Sequence, residues 1–331
     1  MAKSVRLSSA VLLLVMLAAS WPLTVEAAKR KSTSKKSPAA AAGPVKPSPP
    51  APEEELLPPG MKLAVPDIPP DLAELPLAAK GAIALDEFTG QVVYEKNADE
   101  PQFPASTTKI MTALLVIEEG SLDHEVEVTL EDSKVGESSL EIKPGDRFTR
   151  LDGLYGLMLK SANDVAHALG RDNAGSIEAF AEKMNRRARE LGATHTHFAN
   201  PNGLHDPQHY TSPRDLALIA RAAMQQPLFR QIVGTQFHGW SIASTGPREL
   251  RNHNRLLWAF PGCCGVKTGY TYPAQQVLVS AAQWGCRECI AVIMHSNKPG
   301  IWDDSRMLLT WGLEGRTEPA AAPLQTETAV K

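Results

Sequence analysis

Residues 263–295 read CCGVKTGYTYPAQQVLVSAAQWGCRECIAVIMH. Within them, 266–270, 276–283 and 288–295 are rich in β-branched and small apolar residues. The short breaks between them carry Pro273 and Gly285. That pattern predicts three strands joined by tight turns, hence antiparallel neighbours. Upstream, 81–87 and 91–95 alternate around Phe88-Thr89-Gly90, a hairpin signal. Between the two strand groups lies a long stretch of helical periodicity, and a last helix is predicted over 303–313. Strands, helices, strands and a helix in that order predict an α+β fold, an antiparallel sheet flanked by helices with a helical subdomain.

The first strand of the quoted stretch carries Lys267-Thr268-Gly269. Two other short words precede it, Ser106-Thr107-Thr108-Lys109 and Ser161-Ala162-Asn163. Each is weak alone, since Ser and Asn are ordinary helix caps and K-T-G fits any strand that follows a turn. Together, S-x-x-K, S-x-N and K-T-G describe serine acyl transfer with Lys in place of His. Serine needs a neighbour to take its proton. The stretch 105–119 reads as a helix preceded by Pro104, with Ile110, Leu114, Val116 and Ile117 on an apolar face. On a helix Ser106 and Lys109 share a face, so Lys109 reaches the hydroxyl. An ammonium is no base near pH 7 unless burial or a nearby cation such as Lys267 lowers its pKa.

Ser161 and Asn163 fall on a turn between two helical segments. There Ser161 would relay a proton to the leaving amine, and Asn163 would orient Lys109 and the substrate backbone. Gly269 lets a substrate lie along the strand edge. Lys267 and Thr268 would face a carboxylate, and the backbone N–H groups of Ser106 and Tyr270 would form the oxyanion hole.

With these words in place, the chain resembles the D-alanyl-D-alanine carboxypeptidases, the low-molecular-mass penicillin-binding proteins of serine peptidase family S11. The likeness spans 79–312. It includes GQVVYEKNA at 90–98, FPASTTKIMT at 103–112, FANPNGL at 198–204 and DLALIA at 215–220. The resemblance implies a β-lactamase/DD-peptidase-like fold and release of the terminal D-Ala from peptidoglycan pentapeptide stems through an acyl-enzyme. It also implies trapping by β-lactams, and no cofactor or metal. Catalytic Ser106, Lys109 and Ser161, with substrate-binding Asn163, Lys267, Thr268, Gly269 and Tyr270, carry that implication. Two departures stand out. His253 replaces an Arg found near the substrate carboxylate in some relatives, and Tyr272-Pro273-Ala274-Gln275-Gln276 replaces smaller residues after K-T-G. The small β-rich domain and membrane-anchoring helix of larger members are expected to be missing.

Residues 1–27 read as a secretory signal peptide, with Lys3 and Arg6 ahead of an apolar run and Val25-Glu26-Ala27 at the cut. This implies an extracytoplasmic location, secreted, periplasmic or in the cell-wall zone. Residues 28–70, rich in Lys, Ala, Ser and Pro, read as a disordered basic spacer. It offers peripheral contact with anionic wall polymers or a membrane surface. A catalytic domain over 71–315 and a disordered tail over 316–331 complete the organisation. The net charge of −3 and the lack of a phosphate loop, dinucleotide fingerprint or basic-aromatic patch point away from nucleic acids and nucleotides. Four cysteines, Cys263, Cys264, Cys286 and Cys289, read first as a cross-strand disulfide joining the first pair to the second, then as a zinc site, then as free thiols. His195, His197, His205 and His209 lack the H-E-x-x-H form of a zinc peptidase. Glu182-Lys183-Met184-Asn185 is one residue short of the element a β-lactamase uses to activate deacylating water. A DD-endopeptidase acting on crosslinked stems and a non-catalytic wall-peptide-binding protein are the competing readings.

Overall fold

The computed structural model describes residues 65–69, 72 and 74–316. The leader over 1–27, most of the spacer and the tail beyond 316 lie outside the described residues. Five strands form one sheet in the order β2-β1-β9-β8-β7, every neighbour antiparallel. They are β1 (Gly81–Asp86), β2 (Val92–Lys96), β7 (Cys263–Thr271), β8 (Gln275–Trp284) and β9 (Arg287–Ser296). The expected hairpin and the expected three-strand group are both present, and they join through the β1–β9 pairing.

Period-two alternation explains why these segments read as near-continuous apolar runs. Ile83, Leu85, Val277, Val279, Ile290, Val292 and Met294 face one buried cluster. Ala82, Ala84, Leu278, Ala282, Ala291 and Ile293 face another on the opposite side. With both faces covered, neither set is free to be polar.

The first cluster is built on α1 (Lys109–Glu119), whose residues Ile110, Met111, Ala113 and Leu114 are fully buried. Around it pack α3 (Arg150–Leu159), α4 (Asn163–Ala174), α5 (Ile177–Glu190), α6 (Pro213–Met224) and α7 (Pro227–Gly234). A fully buried Leu or Phe contributes about 1.5–3 kcal/mol. Leu114, Leu157, Leu169 and Phe180 therefore make this helical subdomain a principal source of stability. Between α1 and α3 lie the short strands β3 (Glu125–Glu127) and β4 (Arg147–Thr149), with the single turn α2 (Leu130–Ser133) between them. The second face is covered by α8 (Leu256–Ala259) and α9 (Gly300–Leu313). The hairpin of β5 (Phe237–Ile242) and β6 (Gly246–Arg251) has no counterpart in the sequence reading. Among the described residues no helix is long and apolar enough to cross a membrane.

Three expectations are corrected. The helix predicted from 105 begins at Lys109; Ala105–Thr108 is a tight 3₁₀ turn, with Ala105 at φ 48°. The packed domain reaches past both expected boundaries. Ile68 is buried in the second cluster, and the Arg316 guanidinium donates to Ile68 O and Pro69 O at 2.7 and 2.8 Å. The cysteine staple is absent, and all four thiols are free. Cys263 pairs with Ala282, and Ala282 pairs in turn with Cys289, so β8 lies between the two thiols. Two strand spacings separate them by about 10 Å, beyond the ~7 Å Cα limit of a disulfide. Cys286 sits in the turn past the end of β8, and Cys264 lies 3.7 Å from the Arg230 guanidinium. The zinc alternative fares no better: among the described residues no cluster of three or more metal-ligating side chains forms.

Candidate active site

Ser106 stands in the 3₁₀ turn that leads into α1. That turn is held on several sides. Thr107 Oγ1 donates to Pro104 O at 2.6 Å and Thr108 Oγ1 donates to Ala105 O at 2.8 Å. The Ala199 N–H donates to His209 Nδ1 at 3.0 Å, which leaves the proton on Nε2. Nε2 then donates to Thr108 Oγ1 at 2.7 Å. Burial pushes His209 down to about 3, so the ring stays neutral and keeps this relay of donors in order. Gly203, at φ 84°, closes against the same turn, where a β-carbon would collide with Ala105 O.

Lys109 is fully buried. Its Nζ lies 3.0 Å from Ser106 Oγ, 2.7 Å from Asn163 Oδ1 and 2.5 Å from Asn202 O. Burial, helped by the charge of Lys267, holds its pKa well below the usual lysine range. The partner set fits a neutral amine. Such an amine has two N–H donors and one lone pair. The two carbonyl oxygens only accept, so both donors go to them and the lone pair is left for the Ser106 hydroxyl proton.

Ser161 and Asn163 lie where α3 gives way to α4. Ser161 adopts φ 61°, in the left-handed region that non-glycine residues seldom enter. Its buried Oγ makes no hydrogen bond to another described residue. Asn163 is fixed by Nδ2 donating to Gly136 O at 3.0 Å and by its backbone N–H donating to Ser138 O at 2.7 Å. Asp164 accepts from Ser139 Oγ at 2.6 Å and from the backbone N–H groups of Leu140 and Ile142, tying the 136–142 loop to the start of α4.

β7 is an edge strand, and at Gly269 it runs past Ser106. A β-carbon on Gly269 would sit 3.0 Å from Ser106 N and 3.2 Å from Ala105 Cβ, so only glycine brings the strand this close without displacement. Lys267 pairs with Val279 and Thr268 with Leu278. The two side chains therefore leave opposite faces of the sheet. Lys267 is 1% exposed, donates to Thr268 O at 2.8 Å, and is pushed by burial down to about 7. Tyr270, which supplies the next backbone N–H, is 54% exposed.

A cleft of about 660 Å³ opens over Ser106, Ser161, Thr268, Gly269 and Tyr270, and continues past His253, Arg255, Lys298 and Trp302. Protein packed around His253 pushes its ring down to about 3, and Lys267, Lys160 and Arg255 push the same way. The side chain keeps contact with solvent, so the three cations are the firmer cause. Among the described residues no Asp or Glu lines the cleft. Glu182 is exposed on α5, and Asn185 instead bonds the backbone N–H and C=O of Phe198.

The structure thus brings together every residue singled out in the three words. The sequence reading assigned no role to Asn202, Gly203, His209, Arg255 or Lys298. The segment 198–204 was noted only as a likeness, although its Asn-Pro-Asn-Gly composition signals the turn that presents Asn202 O. His209 gave no local signal, because its partners are 101 residues and 10 residues away. His195, His197 and His205 do not gather around it as a metal site.

The D-alanyl-D-alanine carboxypeptidase family profile matches residues 70–298. The chain is 36% identical over 233 residues to the D-alanyl-D-alanine carboxypeptidase DacF of Bacillus subtilis, covering 69% of this chain and 60% of that one. It is 34% identical over 236 residues to the D-alanyl-D-alanine carboxypeptidase DacB2 of Mycobacterium tuberculosis, covering 70% and 80%. Among solved structures, the Streptomyces K15 DD-transpeptidase superposes with a TM-score of 0.70 at 33% identity, over 73% of this chain and all of that one.

Proposed function

Because this chain belongs to the D-alanyl-D-alanine carboxypeptidase family of serine peptidases, we propose that it removes the terminal D-Ala from peptidoglycan pentapeptide stems and that β-lactams inhibit it. The observation that carries the reading is the partner set of Lys109. Two acceptor carbonyls take both protons of a neutral amine and leave its lone pair on Ser106 Oγ.

The substrate backbone adds to the free edge of β7. Lys109 takes the Ser106 proton as Oγ attacks the carbonyl carbon of the penultimate D-Ala. The tetrahedral oxyanion accepts from the backbone N–H groups of Ser106 and Tyr270. Ser161, whose hydroxyl has no other partner among the described residues, gives its proton to the leaving amine and is reprotonated by the proton that Lys109 took from Ser106. The C–N bond breaks, D-Ala departs and an ester to Ser106 remains. Water then hydrolyses that ester. Lys267, pushed down to about 7 by burial, gains its proton when a substrate carboxylate docks at Thr268, because an adjacent anion favours the ammonium.

This chemistry is set outside the cytoplasm by the family's substrate and by the sequence reading of 1–27 as a secretory leader. The basic stretch that follows would hold the enzyme near anionic wall polymers or headgroups. The test is turnover of a synthetic acyl-D-Ala-D-Ala peptide together with intact-mass detection of a β-lactam adduct. Wild type should release D-Ala and acquire the adduct on Ser106, and Ser106→Ala should do neither. An adduct on another residue, or one that survives the substitution, refutes the assignment.

A further inference from the structure

The cleft beyond the nucleophile is unusual for its charge. Lys160, Arg255 and Lys298 line it, and among the described residues no acidic one does. Arginines elsewhere that meet acids include Arg147 with Glu127, Arg187 with Glu118 and Arg214 with Glu95 and Asp99. Arg255 and Lys298 have no carboxylate partner among the described residues. The Arg255 guanidinium instead lies over the ring of Trp302, 5.8 Å from its centroid. That face is a cation–π platform that holds the group without neutralising it. Gathering like charges with no acid costs folding free energy, and a cost of this kind is typical of a binding site.

Direction follows from the register. Thr268 stands opposite Leu278 and so faces the side of the sheet that carries Ile301 and Trp302. The cleft that opens at Thr268 is the one lined by Arg255 and Lys298, so a leaving residue whose terminal carboxylate docks at Thr268 shares that cavity with both cations. A leaving D-Ala carries only that one carboxylate and leaves these outer cations unused.

We propose that Arg255, with Lys298, forms an anion subsite for the leaving residue, and that the enzyme prefers leaving groups bearing a second carboxylate, as the acceptor stem of a crosslink can. This rests on the acyl-transfer reading above and names its substrate class more closely. The chemical step is unchanged: the same C–N bond breaks and the leaving amine takes its proton from Ser161.

The test uses two synthetic donors with a common acyl-D-Ala part, one leaving D-Glu and the other the near-isosteric D-Gln. In wild type at low salt, kcat/KM should favour the D-Glu donor about tenfold, the scale of one charge-assisted hydrogen bond. The preference should fade near 1 M salt, where screening acts over ~3 Å. Arg255→Gln should bring the ratio close to one, and Arg255→Lys should restore part of it. Lys298→Gln should lower it less, and β-lactam titration of active sites confirms that each variant is folded. A wild-type ratio of one, or a ratio that Arg255→Gln leaves unchanged, overturns the subsite while D-Ala release and acylation stand. Absence of both turnover and β-lactam acylation in wild type refutes the acyl-transfer reading and the subsite with it.

Discussion

Replacing Lys267 by Met should make the protein more stable while abolishing its fit to a carboxylate. The side chain is 1% exposed and burial alone pushes its pKa from 10.5 to about 7. A lysine whose folded pKa is depressed binds fewer protons folded than unfolded between those two values. Stability therefore rises with pH across that window, and the penalty is complete below pH 7. At 1.36 kcal/mol for each pKa step, the penalty is about 5 kcal/mol at pH 6 and about 1 kcal/mol at pH 9.5. Met fills a similar volume with no charge to bury, so the variant should recover most of that difference near neutrality. Urea unfolding of both proteins at pH 6 and pH 9.5 measures it. The variant should lead at pH 6 by several kcal/mol, and the gap should shrink by about 3–4 kcal/mol at pH 9.5. Lys109 and His253 lose a neighbouring cation in the variant, so their pKa values rise and add to its lead at low pH; the remaining titrating groups are common to the two proteins and cancel. A variant no more stable than wild type at pH 6, or a gap independent of pH, would refute the claim that Lys267 is held in a desolvated, proton-shedding site.

Lys109→Ala should slow single-turnover acylation by about 10²- to 10⁴-fold, the contribution of a positioned general base; unchanged acylation would place the base elsewhere. In wild type, acylation should fall as pH drops through the depressed pKa of Lys109, because only the neutral amine takes the Ser106 proton. Gly203→Ala forces a β-carbon against Ala105 O in the left-handed region. It should cost about 1–2 kcal/mol in backbone strain alone, and a displacement of Ser106 near 1 Å would cost about 10²-fold in rate. Denaturation and acylation kinetics read these two effects separately. The β-lactam adduct should outlast the peptide acyl-enzyme, since among the described residues no carboxylate lines the cleft to activate water and Glu182 faces solvent. Rapid recovery of free enzyme with hydrolysed drug would contradict this. Unfolded, non-reduced protein should titrate four thiols, and a count of two would restore the cross-strand staple.

The strands were readable because their alternation is local and both faces are buried, so Ile290 to Met294 are apolar without a break. The β5–β6 hairpin was not. Its outward residues mix polar side chains with Phe237 and Pro247, only Trp240, Ile242 and Leu250 are buried, and the apolar signal is too irregular to separate from a loop. The helix start was misplaced because propensity does not register the left-handed Ala105 that precedes the nucleophile. The cysteine pairing failed on strand order. Nearness in an assumed two-strand pair was correct for Cys263 and Ala282, but the intervening β8 separates Cys263 from Cys289.

Sequence by itself pointed to the groups proposed to do the chemistry. A spacing of three places Ser106 and Lys109 on one face of a helical turn, and a glycine after Lys-Thr allows close approach of a strand. These depend on the period of the backbone and on the size of single side chains. Tertiary structure decided whether those groups would be in the right state. The neutrality of Lys109 needs complete burial and the charge of Lys267, and its placement needs the carbonyl of Asn202, contributions from separate parts of the chain. The convergence of Arg255, Lys298 and Trp302 on one cleft is likewise set by packing across the sheet. Desolvation and Coulomb interaction depend on distance in space, and no local pattern of residues encodes that distance.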